Sequence, residues 1–289
     1  MNTPSEKNRI EKNTLYLVAT PIGNLADISE RALKVLSEVD FIAAEDTRVT
    51  LRLLSHFGIK KPLISYFEHN RRERGEQIAG RILSGQSCAL VTDAGTPAIS
   101  DPGEDLVVLC WEKNIRVVPV PGASAAICAL AVSGLPAGRF CFEGFLPTNR
   151  AERRARLDSL LSETRTMIIY EAPHKLRTTL ADLARAFGEG RRIAVCRELT
   201  KLNEEIMRTT LGGALEYYNS QEPRGEYVLV LAGAEPARAG DRFWQKMSVA
   251  EHVGHYLDAG LTKTEAIKAA AVDRGLPKNA VYKELISPQ

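Results

Sequence analysis

Three short loops carry residue types able to build a ligand site: TPIGN at 20–24, TDAGTPAISDPG at 92–103 and PVPGASA at 119–125. Each follows an apolar run that reads as a buried strand, and each consists of glycine, proline and small side chains. At the carboxyl ends of strands in an α/β sheet, a backbone stripped of bulk lets a ligand approach its N–H and C=O groups closely. Charged residues follow other strands toward the same edge: Glu45, Asp46 and Arg48, then Glu171, His174 and Lys175, then Arg197, Glu198 and Lys201. Carboxylates and histidine can take a proton from a hydroxyl, and cations can hold phosphate. Each also has a purely structural reading. Asp46 can cap a helix starting at Thr47, Glu198 can pair with Arg197 or Lys201, and His174 can open a helix.

Absences narrow the ligand. The first strand is not followed by G-x-G-x-x-G, and the chain holds no G-x-x-x-x-G-K-[ST], H-E-x-x-H, G-x-S-x-G or Cys/His ligand set. Dinucleotide, triphosphate, metallohydrolase and serine-hydrolase chemistry therefore have no sequence support. A cofactor without a phosphate, held by backbone groups and small side chains, fits these loops better, and no metal site is expected. The five cysteines, Cys88, Cys110, Cys128, Cys141 and Cys196, are odd in number and form no C-x-x-C. Cys88, Cys128 and Cys196 sit in apolar stretches and read as core residues.

The elements that must position these residues alternate. Strands are predicted at 14–20, 40–44, 62–67, 87–92 and 116–120, with helices at 29–39, 47–57, 75–83, 104–113 and from Ser124 onward. That rhythm predicts a largely parallel sheet covered on both faces. Residues 133–139, SGLPAGR, interrupt both periods and mark a boundary. A second α/β unit follows, with strands at 140–144, 166–170, 192–196, 205–210 and 226–232 and helices at 150–161, 173–187 and 211–219; its end looks mixed rather than parallel. The expected organisation is a flexible N-terminus at 1–13, α/β domains at 14–134 and 135–234, and a helical segment at 235–289. In that tail two short helices flank Gly275 and resemble a helix-turn-helix, placing Lys278, Asn279 and Lys283 where such motifs touch nucleic acid.

The 289 residues carry 38 Lys+Arg against 36 Asp+Glu, so the net charge is +2 and there is no global basic field. A nucleic-acid partner would be met locally. The clearest patch is Arg150, Arg153, Arg154 and Arg156 around Glu152; Arg71, Arg72 and Arg74 are offset by Glu68, Glu73 and Glu76. Hydrophobic content of 44% with 26% charged residues is that of a folded chain. The polar first thirteen residues lack a signal-peptide core and no apolar run approaches ~20 residues, so the expected compartment is cytoplasmic, with no membrane partner.

TPIGNLADI, AEDTR, TDAGTPAISDPG, PGASA, GFLP, YEAPHKL, RELTK and RGE, in this order, resemble the motif series of the tetrapyrrole-methylase superfamily. Within it they are similar to the type I family of small-subunit ribosomal RNA methyltransferases, which methylate the ribose 2′-hydroxyl of a decoding-region cytidine in 16S rRNA. Lys175, where arginine is common, and Arg71, where glutamate is often found, depart from that pattern. The resemblance implies two α/β domains with S-adenosylmethionine in the cleft between them, a homodimer, and 16S rRNA in the assembled small subunit as partner. It places Pro21, Ile22 and Gly23, then Asp93, Gly95, Thr96 and Ile99, then Ser124 and Ala125, and finally Tyr170, Leu231 and Ala232 against the cofactor. Asp46 or Glu198 would activate the hydroxyl with Lys201 beside it, and Arg48, Arg150, Arg153, Arg154, Lys175, Lys278 and Lys283 would contact RNA. A methyltransferase acting on a tetrapyrrole-like small molecule and a non-catalytic RNA-binding adaptor are the competing readings.

Overall fold

The computed structural model describes residues 9–235, 244 and 247–286; the expectations for residues 1–8 and for the linker at 236–243 lie outside them. Residues 1–234 form one compact unit and 235–289 another.

In the first unit, β1 (Thr14–Val18), β2 (Phe41–Ala44), β3 (Leu63–Ser65), β4 (Ser87–Val91) and β5 (Arg116–Val120) make an all-parallel sheet in the order β3-β2-β4-β1-β5. The apolar runs of β2 and β4 are buried along their whole length because helices cover both faces. Alternate residues supply the two faces. Leu15, Phe41 and Leu90 pack with Ile78 and Leu106, from α3 (Arg71–Leu83) and α4 (Gly103–Glu112). Tyr16, Val18 and Ile42 pack with Val35, Leu36 and Leu54, from α1 (Glu30–Glu38) and α2 (Thr47–His56). Full burial of each such side chain contributes about 1.5–3 kcal/mol.

Two boundaries differ from expectation. Helix α3 starts at Arg71, four residues early, because its first turn is wholly charged and hides the apolar period. Gly75, the expected start, lies inside it; a Cβ there would stand 3.3 Å from Leu109. Residues 9–13 are anchored: Lys12 pairs with Asp40 at 2.8 Å and the Asn13 amide donates to the Ile82 carbonyl.

The second sheet comprises β6 (Phe140–Phe145), β7 (Thr166–Glu171), β8 (Arg192–Arg197), β9 (Glu205–Thr210) and β10 (Tyr227–Leu231), in the order β6-β7-β10-β8-β9. Strands β6 and β7 are parallel and the other pairs antiparallel, the mixed arrangement expected. One face buries Met167, Ile169, Leu229 and Leu231 with residues of α6 (Arg150–Ser159), α7 (Leu176–Phe187) and α8 (Leu211–Ser220). The other buries Ile168, Cys196, Val228 and Val230 against Ala126, Ala129 and Leu130 of α5 (Ala125–Val132). Helix α5 thus follows the first sheet in sequence and packs on the second. Pro173 opens a 3-10 turn, Pro173–Lys175, before α7 begins.

Among its described residues the tail has three α-helices where the sequence pattern singles out two: α9 (Val249–Asp258), α10 (Lys263–Arg274) and α11 (Lys278–Ile286). Capping boxes Ser248/Glu251 and Thr262/Glu265 start α9 and α10. Gly275, with φ 64°, ends α10 in the left-handed conformation. His252 is fully buried, stacked on Trp244 with centroids 5.3 Å apart. Its Nε2 lies 3.1 Å from Asp273, and its Nδ1 accepts from Arg274 at 3.0 Å. Among the described residues no helix is long and apolar enough to cross a membrane.

Candidate functional site

Strands β4, β1 and β5 are neighbours, so the loops that follow them emerge side by side. Thr20 and Gly95 exchange backbone hydrogen bonds at 2.9 and 3.1 Å, and the Thr96 hydroxyl donates to the Ala123 carbonyl at 3.0 Å, tying the three loops together. Gly95 has φ +87°, which favours glycine, and its missing Cβ leaves room for Ile22 at 3.3 Å. The Asp101 carboxylate accepts from the amides of Ala98, Ile99 and Gly103, organising a turn in which Ala98 and Ser100 both take positive φ.

These loops line a cavity of about 550 Å³ completed by the second sheet. It brings together Ile22, Asp93, Gly95 and Thr96 with Ile99, Ser124, Ala125 and Tyr170. The Tyr170 hydroxyl accepts from the Ala126 amide at 3.2 Å, and its ring packs edge-on against Phe142 and Phe145. Ser124 precedes α5, yet its hydroxyl makes no capping bond and remains available to the cavity. Pro21 lines a smaller neighbouring pocket instead. Gly23 packs on Lys201: a Cβ there would come within 2.3 Å of the lysine stem. Leu231 and Ala232 are not brought to the cavity. Leu231 is fully buried on the opposite face of the sheet, and the amide of Ala232 bonds the Arg192 carbonyl. On β10 it is Tyr227 and Val228, at the strand's other end, that line the cavity.

Sequence reasoning names Asp93, Glu45 and Glu171 but does not single out Asp101 or Glu226. All five border the cavity, and among the described residues no lysine or arginine does. Glu171 is buried at the end of β7, accepting from the Thr179 hydroxyl and the Ala172 amide; the Thr92 hydroxyl donates to Glu45 at 2.6 Å. Burial raises the Asp93 carboxyl, with Glu45 and Asp46 adding to it against the Asp46 amide and Arg48. Cys196 also lines the cavity, and burial pushes its thiol up to about 11, so it is no nucleophile at neutral pH.

The three residues expected to act on the hydroxyl are ion-paired. Asp46 caps α2 and binds Arg48 at 2.7 Å; hydrogen bonds from Arg48 hold its carboxyl down at about 2. Lys201 bridges Glu198 at 2.9 Å and Glu226 at 2.7 Å. Burial works against the charge on both Glu198 and Lys201, but their pairing outweighs it, lowering the acid and raising the base. Glu198 and Thr200 have φ 51° and 66°, a strained stretch in which Thr200 is β-branched. Gly225, with φ +80°, leaves the space that the Glu198 side chain fills.

A second, larger concavity of about 850 Å³ runs between α6 and α7. Arg150, Arg153, Arg154 and Lys175 line it, with Arg185 beside them and Asp158 and Asp182 in partial opposition. Arg153 is committed to the fold: only 13% exposed, it binds Asp182 and Thr179 at 2.7 and 2.8 Å. Arg150, Arg154 and Lys175 form no ion pair among the described residues. His174 lines both the groove and the acidic cavity, so the two adjoin. In the tail, Lys278 and Lys283 are exposed on α11.

A model of the tetrapyrrole (corrin/porphyrin) methylases matches residues 14–215, and the chain belongs to that family of methyltransferases. Solved structures show the same fold. A cobalt precorrin-4 methyltransferase of cobalamin biosynthesis superposes with TM-score 0.57 at 17% identity, covering 80% of this chain and 98% of that one. A Thermus thermophilus uroporphyrin-III C-methyltransferase complexed with S-adenosyl homocysteine gives 0.53 at 16%, covering 76% and 97%. Within the family the chain belongs with the proteins named ribosomal RNA small subunit methyltransferase I. It is 48% identical to that of Synechocystis over 93% of this chain and 95% of the relative, and 46% identical to that of Halalkalibacterium halodurans over 96% of each. The Bacillus subtilis protein of that name is 45% identical over 96% of each.

Proposed function

We propose that this protein transfers a methyl group from S-adenosylmethionine to the ribose 2′-hydroxyl of a cytidine in the decoding region of 16S rRNA, within the assembled small ribosomal subunit. The observation that carries this reading is the abutment, at His174, of a carboxylate-lined cavity and a groove holding cations that make no ion pair among the described residues. The names of the relatives that match nearly the whole chain support RNA as the acceptor. A homodimer working in the cytoplasm belongs to the same reading.

The cavity suits the cofactor. Its volume of about 550 Å³ lies within the ~300–1,000 Å³ of pockets that enclose small ligands. Five carboxylates, with no lysine or arginine among the described lining, favour a sulfonium and an ammonium, and the open backbone at Gly95 and Ser124 offers groups for a carboxylate and a base. Ile22, Ala125, Leu199 and Val228 supply apolar contact. When bound, S-adenosylmethionine supplies an electrophilic methyl carbon.

In-line displacement at that carbon needs chiefly positioning. Asp46, held at about 2, is a poor proton acceptor at neutral pH, and Glu198 is committed to Lys201. In this reading both carboxylates serve through the cations they hold. Arg48 and Lys201 stabilise negative charge as the hydroxyl proton passes to solvent water, while Arg150, Arg154 and Lys175 hold flanking phosphates, with Lys278 and Lys283 as further contacts. Arg153 braces the groove. Incubation with methyl-labelled S-adenosylmethionine and a mixture of unmethylated small subunits, free 16S RNA and a precorrin tests the reading. Label in 16S RNA of the subunits is expected; label in the precorrin, or none at all, contradicts it.

A further inference from the structure

A third concavity, of about 260 Å³, shares Thr92 and Asp93 with the cofactor cavity. Its walls are aliphatic: half-buried Pro21, Val49 and Leu53, and exposed Leu25. Arg52 and Asp93 stand exposed at its rim, and buried Thr50 contributes a hydroxyl that makes no hydrogen bond among the described residues. The two rim groups have capacity to spare. Asp93 accepts from the Asp46 amide through Oδ1 at 3.1 Å, leaving Oδ2 without a partner among the described residues, and Arg52 spends only Nε, on the Arg48 carbonyl.

We infer that this pocket receives the base of the target cytidine, its ring between the aliphatic walls, its exocyclic amine donating to Asp93 and its carbonyl oxygen accepting from Arg52. The inference rests on the reading of the chain as an RNA methyltransferase and names how that enzyme selects its nucleotide. Three observations converge. The pocket is small, and aliphatic side chains from two segments, Pro21 and Leu25 on one and Val49 and Leu53 on the other, line it. It offers one free acceptor and one free donor, the complement of the cytosine edge, where a carboxylate accepts from the N4 amine. It borders the cofactor cavity at Thr92 and Asp93, so a nucleotide whose base is seated in it lies beside the cofactor. Unstacked RNA bases are read by hydrogen bonds to their Watson–Crick edge, the kind of contact these rim groups offer. Uracil would set a carbonyl oxygen against the carboxylate, losing a hydrogen bond and adding repulsion, which a site built on hydrogen bonds discriminates strongly.

The test uses the full chain with small subunits carrying either cytidine or uridine at the target position. Leu53→Trp and Leu25→Trp, from two different elements, each fill the pocket without touching the cofactor cavity. Both are expected to keep S-adenosylmethionine affinity within about threefold while methylation of the cytidine subunit falls ~100-fold or more. Asp93→Asn, whose amide can donate to a carbonyl, is expected to narrow the cytidine-to-uridine preference by about tenfold. Wild-type turnover in both tryptophan variants, or loss of cofactor affinity in both, overturns the inference while leaving the methyltransferase reading intact. An unchanged preference in Asp93→Asn overturns the assigned role of the carboxylate. Failure of the wild-type protein to methylate either subunit defeats the underlying reading, and the pocket inference falls with it.

Discussion

The carboxylate-lined cavity proposed for the cofactor and the groove between α6 and α7 border one another at His174, yet they are built from opposite materials. The cavity is made of loops at strand ends, with Gly95, Ala98 and Ser100 at positive φ, and the carboxylates around it are mostly tied into hydrogen bonds with hydroxyls and amides. The groove is made of two helices, and its chemistry comes from long side chains in open solution. A small cation must be enclosed and oriented, so backbone geometry matters there. A polyanion must be captured and released, so mobile surface charge suffices. The difference teaches that a near-neutral chain can segregate its charge into a cationic groove and an acidic cavity, the arrangement the proposed RNA contact would use.

The largest expected effect comes from reversing the groove. Arg150→Glu, Arg154→Glu and Lys175→Glu together should weaken small-subunit binding about a hundredfold or more at low salt, with S-adenosylmethionine affinity unchanged by calorimetry. If cofactor affinity fell in parallel, the separation of the two regions would be broken. Next, Gly95→Val forces a β-branched residue to φ +87° and a Cβ against Ile22, strain of about 1–3 kcal/mol. It should cost about tenfold in cofactor affinity and leave subunit binding alone. Lys201→Met should lower single-turnover methylation about tenfold with little change in either affinity. Asp46→Asn sharpens the same point: asparagine keeps the helix cap, so turnover should stay within about threefold if the carboxylate is no base.

The smallest effect lies in the tail. Burial pushes the His252 imidazole below its ordinary value, helped by Arg274 and His255 and opposed by Asp273, with Tyr256 alongside. The unfolded chain therefore binds the proton more readily. Stability from this site is complete above about pH 6.5 and is lost as pH falls from there toward the lower folded value. The tail's melting temperature should drop a few degrees between about pH 7.5 and 5.5, a change that His252→Asn should abolish.

Of the two regions, the loop-built one is the more legible in sequence. Glycine, proline and small residues are the direct record of an unusual backbone, so Gly95, Thr96 and Ser124 stand out as site residues from the order of amino acids alone. Side-chain commitments are a different matter. Nothing in the sequence separates Arg153, spent on Asp182 and Thr179, from Arg150 and Arg154, which face solvent on the same helix. Parity along β10 is equally hidden: buried on both faces, the strand shows no alternation, so Leu231 and Val228 look alike although they point to opposite sides. The spacing around Asp46 and Glu198 is as compatible with chemistry as with capping and pairing, and only the folded chain brings their partners together. The charged first turn of α3 escapes a sequence reading because it holds no apolar residue, whereas α9 carries both a capping box and Val249 and Val253 at helical spacing and is legible in principle.

Salt dependence of the two affinities in the wild-type protein tests the division most directly. With Arg150, Arg154 and Lys175 as the groove's free cations, the logarithm of the small-subunit binding constant should fall with the logarithm of salt concentration at a slope of about −2 to −3. The S-adenosylmethionine constant should stay nearly flat over the same range. A flat line for the subunit, or equal slopes for both ligands, would contradict the account.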